Sequence, residues 1–186
     1  MVAEMNMESG EDKKRLLAAI MFTDMVGYTA LMQENEQLAK RNRDKHRKIQ
    51  KETTEEFDGE ILQYYGDGTL IIFKSAVQAV QCGVKIQQLL QEEPKVPLRI
   101  GIHSGDIVYD DEGIYGDGVN IASRIENIAE AGSILVSDKV ADELKNHPEP
   151  KTKKIGSFQL KNVKHDVIVH AVIAEKLAVP DSLKRV

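Results

Sequence analysis

The sequence predicts an α+β sandwich, and three features of the 186 residues support that prediction. Strand-like and helix-like segments alternate along the chain, which fits a sheet covered by helices. Two pairs of strand-like runs are joined directly by turns, and such hairpins are antiparallel, which argues against an all-parallel sheet. The hydrophobic fraction of 41% is enough to bury a core, and the length fits a single domain.

Composition excludes several classes of protein. The formal net charge of −5 gives no electrostatic affinity for nucleic acid or anionic lipid. No apolar stretch reaches the ~18–20 residues of a membrane helix, and residues 1–14 are too charged for a signal peptide. Cys82 is the single cysteine, which fits a reducing compartment. We therefore expect a cytoplasmic domain with no nucleic-acid partner and no membrane insertion.

The first elements follow from hydrophobic patterning. Residues 16–22 are an apolar run of strand length that ends at Thr23 and Asp24. Residues 29–57 form a long polar helical segment with sparse apolar positions. Much of this helix must therefore face water or a partner chain.

The remaining segments continue the alternation, and turn or capping residues bound them. Gly66, Asp67 and Gly68 separate two strand-like runs and suit the positive φ of a tight hairpin turn. In chain order the segments are strands over 60–65 and 69–73, a helix over 76–90, a strand over 98–109 interrupted at Ser104 and Gly105, a helix over 118–129, a strand over 133–136, a short helix from Ser137 to 144, a loop over 148–154, and strands over 155–161 and 167–173.

Two acidic residues stand at the ends of apolar strands. If the strands that carry Asp24 and Asp67 are neighbours in one sheet, the two carboxylates converge at the same edge. Paired carboxylates repel unless a cation lies between them, and their hard oxygens suit Mg²⁺ or Mn²⁺. The alternative is that the Asp-Gly pair is ordinary turn chemistry.

Two further groups are candidates for binding an oxyanion. A glycine turn at Gly27 feeds a helix whose free N–H groups can cradle phosphate, although no Walker loop is present. Asn120 and Arg124 share a helix face behind Asp117, a candidate N-cap, and suit a ribose or a developing negative charge. The alternative is a surface ion pair of Arg124 with Glu126 or Glu130.

Taken together, these segments closely resemble the class III nucleotidyl cyclase catalytic domain of bacterial type. The resemblance covers residues 16–174, and its motifs occur in the family's order. They are Phe22-Thr23-Asp24-Met25-Val26-Gly27-Tyr28-Thr29, Tyr65-Gly66-Asp67-Gly68, Arg99-Ile100-Gly101-Ile102-His103-Ser104-Gly105 and Gly116-Asp117-Gly118-Val119-Asn120-Ile121-Ala122-Ser123-Arg124.

The resemblance implies a ferredoxin-like sandwich of mainly antiparallel sheet with helices on one face, working as a head-to-tail homodimer. It implies a catalytic domain over 15–175. Residues 1–14 are charged and lack a hydrophobic period, so we expect a disordered tail, and residues 176–186 are charged again and contain Pro180, as a linker to another module would. This chain would then be a domain excised from a longer protein.

The resemblance also assigns the metal and phosphate sites. Asp24 and Asp67, helped by the backbone carbonyl of Met25, would hold two Mg²⁺ or Mn²⁺ ions. The phosphates of a nucleoside triphosphate would contact residues of the glycine turn, a strand arginine and a C-terminal lysine. These residues are Gly27, Tyr28, Thr29, Arg99 and Lys161, the last followed by Asn162 where the family often has glycine.

From the opposite protomer, Asn120 would orient the ribose and Arg124 would stabilise the transition state. The base-reading positions depart from the family pattern: Gln63 stands where adenylyl cyclases carry lysine, and Gly113 where they carry aspartate or threonine. We expect cyclisation of a triphosphate, with ATP as the default substrate. The alternatives are a cyclase for another base and a pseudocyclase that binds nucleotide or only dimerises. A diguanylate cyclase is disfavoured because the hairpin lacks that family's Gly-Gly-Asp/Glu-Glu-Phe turn.

Overall fold

A computed structural model describes residues 13–182, which form a sheet of eight strands and five helices. The elements are β1 (Lys14–Met25), α1 (Tyr28–Glu34), α2 (Glu36–Glu56), β2 (Glu60–Tyr65), β3 (Gly68–Phe73), α3 (Ala76–Leu90), β4 (Leu98–Asp110), β5 (Gly113–Tyr115), α4 (Asp117–Asn127), β6 (Ile134–Ser137), α5 (Asp138–Leu144), β7 (Lys151–Phe158) and β8 (Val167–Ile173). The predicted α+β class is confirmed.

The sheet has the order β2-β3-β1-β4-β6-β8-β7, and β5 pairs with β4 at its side. All pairs are antiparallel except β4 with β6, which are parallel. The hairpins β2–β3 and β7–β8 are those the sequence predicts. The central strands β1 and β4 are the longest, with 12 and 13 residues, and they pair along almost their whole length.

Helices lie on both faces of the sheet. Side chains alternate along β1, so Ala19 and Met21 pack into one core with residues of α3 and α5, and Ile49 of α2 packs against it. Ala18 and Ile20 point the other way and pack with Val119 of α4. The expectation that all helices lie on one face is therefore wrong, because α4 covers the opposite side.

Helix α4 sits directly on the backbone of β4, and glycine makes this approach possible. A Cβ atom at Gly101 would lie 2.2 Å from the backbone nitrogen of Glu126, and one at Gly118 would lie 2.7 Å from the carbonyl oxygen of Asp106. Any larger residue at these two positions would push the helix off the sheet.

Several element boundaries differ from the sequence-based expectation. Asn35 divides the predicted helix over 29–57, because its side chain accepts a hydrogen bond from the backbone of Leu38 and caps α2. Strand β1 continues through Asp24 to Met25, and β4 runs without interruption through Ser104 and Gly105, since both are paired to β1. The predicted loop over 148–154 contains the first residues of β7, which pair with the end of β8.

The two predicted flanking segments are partly outside the described residues. Of the tail over 1–14, only Lys13 and Lys14 are described, and Lys14 is the first residue of β1. After β8 the chain stays against the domain: Leu177 packs on the core, and the backbone N–H of Ala178 donates to the carbonyl of Gly132. Within 13–182, none of the helices combines the length and apolarity needed to span a bilayer.

Candidate active site

The antiparallel pairing of β1 with β4 places Asp24 opposite Arg99. Both side chains are about three-quarters buried, and Nη2 of Arg99 donates a hydrogen bond of 2.8 Å to Oδ2 of Asp24. The sequence motifs of these two residues are 75 positions apart, so the sheet register alone brings them together. The resulting ion pair holds the Asp24 carboxylate at the end of β1.

Asp67 reaches the same corner through the β2–β3 hairpin. Thr23 of β1 pairs with Thr69 of β3, so the turn before β3 lies beside Asp24. A Cβ atom at Gly68 would come within 2.7 Å of the Thr23 carbonyl oxygen, which shows how closely the turn approaches β1. Burial and then the charge of Asp24 raise the pKa of Asp67. The two carboxylates therefore meet, as the strand arrangement predicts.

Glu126 is a third carboxylate at this corner, and sequence reasoning missed its place. It is only 6% exposed, and its Oε1 lies 2.5 Å from Nε of Arg99. Burial is the main cause that raises its pKa to about 7; Arg99 opposes the shift, and the nearby charge of Asp24 adds to it. A usable signal was present, because Glu126 stands four residues after Ala122 on the buried stripe of α4. The suggested ion pair of Arg124 with Glu126 is not formed; Glu126 pairs with Arg99.

Asp24 and Glu126 border a cavity of about 390 Å³ between the end of β1, the hairpin and α4. Phe22 and Tyr65 form an aromatic wall, with ring centroids 6.1 Å apart. Asn120 and Ser123 of α4 line the opposite side. The cavity therefore combines an aromatic surface, a polar helix face and an acidic floor.

The glycine turn lies directly after β1. Gly27 has a φ of 76°, a left-handed conformation that favours glycine, and it precedes α1 without a side-chain cap. Tyr28 packs on the core, Thr29 is exposed, and the side chain of Met25 is buried. A hydrogen bond of 2.9 Å from the N–H of Val26 to the carbonyl of Pro97 fixes the turn against β4.

Of the expected site residues, Asp24 and Asn120 line this cavity of their own chain, and Arg124, Lys161, Gln63 and Gly113 are among those that do not. Arg124 lies half-buried in the last turn of α4, and Lys161 is exposed between β7 and β8. Gln63 is exposed on β2, and Gly113 begins β5 with a φ of 135°. Asp117 is the first residue of α4 rather than its cap, since Gly116 takes the cap position without a side-chain hydrogen bond.

The donor set fits a hard divalent cation. Across residues 13–182 the structure contains no group of three or more His, Cys, Asp or Glu side chains arranged around one point as metal ligands. The corner does offer two adjacent carboxylates, Asp24 and Asp67, and burial followed by repulsion from Asp24 raises the pKa of Asp67. A cation between them would relieve that repulsion, and carboxylate oxygens are the ligands that Mg²⁺ and Mn²⁺ prefer.

Comparison with proteins of known structure identifies similar domains. The chain is 34% identical to a protein of Silicibacter pomeroyi described as an adenylate/guanylate cyclase/hydrolase, with a TM-score of 0.80 over 88% of this chain and 100% of that one. It shares the fold of the adenylyl cyclase CyaB from P. aeruginosa, at 23% identity and a TM-score of 0.79 over 90% of this chain and 100% of that one.

Among curated sequences, the chain is 33% identical over 171 residues to a Rhizobium meliloti protein named "Putative adenylate cyclase 3", which covers 84% of this chain. It spans 28% of that protein, and 18% of a Myxococcus xanthus relative named serine/threonine-protein kinase pkn2, which is 26% identical over 76% of this chain. The family model for the adenylate and guanylate cyclase catalytic domain matches residues 12–174. The chain therefore belongs to the adenylate/guanylate cyclase family and is a cyclase catalytic domain.

Proposed function

We propose that this domain converts a nucleoside triphosphate, with ATP as the preferred substrate, into the 3′,5′-cyclic monophosphate and pyrophosphate. The observation that carries the proposal is the corner where Asp24 and Asp67 meet beside Arg99, next to the cavity that Asp24 borders. In this reaction the ribose 3′-oxygen attacks the α-phosphorus, the bond to the β-phosphate oxygen breaks, and the hydroxyl proton passes to solvent.

The first role of this chain's residues is to hold two divalent ions. Asp24, Asp67 and the backbone carbonyl of Met25 would be the protein ligands, with Mg²⁺ or Mn²⁺ as the ions. Bound ions would lower the pKa of the 3′-hydroxyl and neutralise charge on the triphosphate. The adjacency of the two carboxylates supports this assignment, because without a cation they repel each other.

The second role is to bind and orient the phosphates. The turn of Gly27, Tyr28 and Thr29 precedes α1 with no side-chain cap, so its N–H groups are available to phosphate oxygens. Arg99 lies between Asp24 and Glu126, and a phosphate would compete with these carboxylates for the guanidinium.

The third role falls to a second copy of the chain, in a head-to-tail homodimer. Arg124 and Lys161 carry positive charge suited to the transition state and the phosphates, yet they lie outside the cavity of their own chain. We infer that the partner's α4 supplies Asn120 and Arg124 to the ribose and the α-phosphate. A single protomer would then be nearly inert.

The base is read by a pocket that differs from the family pattern. Gln63 can donate and accept, so it can face N1 of adenine or N1–H of guanine, and Gly113 provides no side chain. ATP remains the proposed substrate, and relatives with adenylate cyclase names support it. The departures at Gln63 and Gly113 favour one competing function, a pseudocyclase that binds nucleotide without releasing pyrophosphate.

The proposed substrate and the relatives support proposals about the cellular compartment of the domain and about the module to which it is joined. Nucleoside triphosphates and a single buried thiol, Cys82, favour the cytoplasm. Because the curated relatives are much longer than the matched region, we propose that the domain is joined to a regulatory module.

The test is product analysis of the purified protein with Mn²⁺ and each of ATP, GTP, CTP and UTP. A cyclic product from ATP supports the proposal, and a product from another triphosphate alone reassigns the base. Binding without any product supports the pseudocyclase. The shared site is tested by mixing Asp24→Ala with Arg124→Ala protomers, which should regain activity that neither variant has alone; a dead mixture of dimerising variants would refute it.

A further inference from the structure

A buried hydrogen-bond network lies on the far side of the sheet from the acidic corner. Nε2 of Gln50, in α2, donates to Oγ1 of Thr23 in β1 at 2.6 Å. Oγ1 of Thr69, in β3, donates to Oε1 of the same Gln50 at 2.6 Å. All three side chains are at most 2% exposed.

The position of this network along the strands relates it to the carboxylates. Thr23 and Thr69 are directly paired in the β1–β3 ladder. Thr23 precedes Asp24 in the chain, and Thr69 follows Asp67 by two residues. Because side chains alternate along a strand, Thr23 points to α2 while Asp24 points to α4. One amide therefore ties together the two strand segments that carry the acidic pair.

A second contact from the same helix reaches the hairpin turn itself. Arg47 lies three residues before Gln50, and its Nη2 donates to the carbonyl oxygen of Gly66 at 3.1 Å. Its guanidinium also lies over the ring of Tyr64, 4.8 Å from the centroid. Helix α2 thus holds the turn at Gly66 and the strand at Thr69, on either side of Asp67.

We propose that Gln50 is a positioning residue that sets the separation of the Asp24 and Asp67 carboxylates and thereby the affinity for divalent metal. The inference rests on the proposed function, because it takes these two residues as the metal ligands. Ligands must be held within about 0.5 Å of the productive geometry. A glutamine that donates to one strand and accepts from the other fixes that separation from outside the site.

The experiment measures Mn²⁺ binding to the whole chain without nucleotide, from the electron paramagnetic resonance signal of free Mn²⁺. Gln50→Met keeps the side-chain length and removes both hydrogen bonds. We expect it to weaken Mn²⁺ binding by about tenfold, in the range found for residues behind a metal ligand. Thr69→Val should also weaken binding, whereas Thr69→Ser, which keeps the hydroxyl, should restore it.

Gln87→Met is the matched control for stability. Gln87 is also fully buried, and its Nε2 donates to the carbonyls of Leu98 and Ser133, at 2.8 and 3.0 Å. Its loss should lower stability to urea as Gln50→Met does, yet leave Mn²⁺ affinity within about twofold of the unsubstituted chain.

Two results would overturn the inference. One is Mn²⁺ affinity in folded Gln50→Met equal to that of the unsubstituted chain, or lowered equally in the Gln87→Met control. The other is an unsubstituted chain that binds no Mn²⁺. The proposed cyclase function is judged separately, by whether cyclic product forms. If Gln50→Met fails to fold, the inference is tested by Thr69→Val and Thr69→Ser, and equal Mn²⁺ affinity in these two variants would overturn it.

Discussion

The two faces of the sheet differ most at the corner where β1 ends. On the α4 face, Asp24, Arg99 and Glu126 form a charged group at the edge of a cavity. On the α2 face, one residue away along β1, Thr23 joins a neutral network that excludes solvent. The same strand thus carries a group of charged side chains on one face and a fully hydrogen-bonded neutral network on the other.

The comparison shows that the α2 face contributes stability, whereas the α4 face carries the candidate catalytic groups. Buried neutral hydrogen bonds that are all paired stabilise and fix geometry. Converging carboxylates destabilise the chain without ligands, and they remain only because the surrounding structure holds them. Substitutions on the two faces should therefore separate activity from stability, and four predictions test this from the largest expected effect to the smallest.

Asp24→Asn should abolish activity without unfolding the protein. The amide keeps a hydrogen bond to Arg99 and removes repulsion with Asp67, but it is a poor ligand for a divalent cation. We expect cyclisation to fall by more than about 100-fold, and stability to change by less than about 1 kcal/mol. Initial rates and urea unfolding measure the two effects. Normal turnover would refute the metal assignment.

Gly101→Ala should destabilise the protein by disrupting the contact of α4 with β4, whereas Gly83→Ala, on the other face of the sheet, should not. The new methyl at Gly101 would meet the backbone of Glu126 at 2.2 Å, and backbone cannot move aside. At Gly83 it would meet only the side-chain ends of Ile134 and Met21 at 3.3 Å. We expect a loss of about 3 kcal/mol for Gly101→Ala and little change for Gly83→Ala, measured by urea unfolding. Equal losses would contradict the close helix–backbone contact.

His46 should make the α2 face sensitive to acid. It is 1% exposed, and burial lowers its pKa to about 4. The unfolded chain takes up this proton near pH 6.5, so stability is lost as the pH falls from 6.5 to 4. Wild type should lose about 3 kcal/mol more than His46→Leu over that window. Parallel pH curves for the two proteins would show that His46 is not responsible.

Glu126, on the α4 face, should make the stability of the protein depend on pH in the opposite direction to His46. Its pKa rises from 4.5 in the unfolded chain to about 7 in the folded one, so stability falls as the pH rises from 4.5 to 7. Glu126→Gln should remove about 2 kcal/mol of this loss, since water in the cavity moderates the cost of charge burial. Urea unfolding in the presence of a chelator measures it. If Glu126→Gln, compared with the unsubstituted chain, were less stable at pH 8 than at pH 5, the direction assigned to this pH dependence would be wrong.

Much of the fold and part of the site could be predicted from the chain. The bounds of α3 and of β2 match the sequence-based ranges, because amphipathic period and an Asp-Gly turn are local signals. The convergence of Asp24 and Asp67 was predictable once their strands were taken as neighbours. Glu126 was not recognised, because its partner Arg99 lies on another element.

Helix α2 shows what the local hydrophobic pattern could not predict. Its sparse apolar positions predict that much of the helix faces water or a partner chain, but they do not show that its inner face is buried and mostly polar. The residues on that face are Ala39, Asn42, His46, Gln50, Thr53 and Thr54. Gln50 can be buried there because β1 and β3, far along the chain, supply its hydrogen-bond partners.

By itself, the sequence determined the order of helices and strands, the family motifs and the identity of the acidic pair, because each depends on residues close together in the chain. Only the tertiary structure decided which face α4 covers, that Arg99 lies between Asp24 and Glu126, and that Gln50 ties β1 to β3. These contacts join residues dozens of positions apart, and sheet register together with the packing of helices on the sheet, rather than any local preference, sets them.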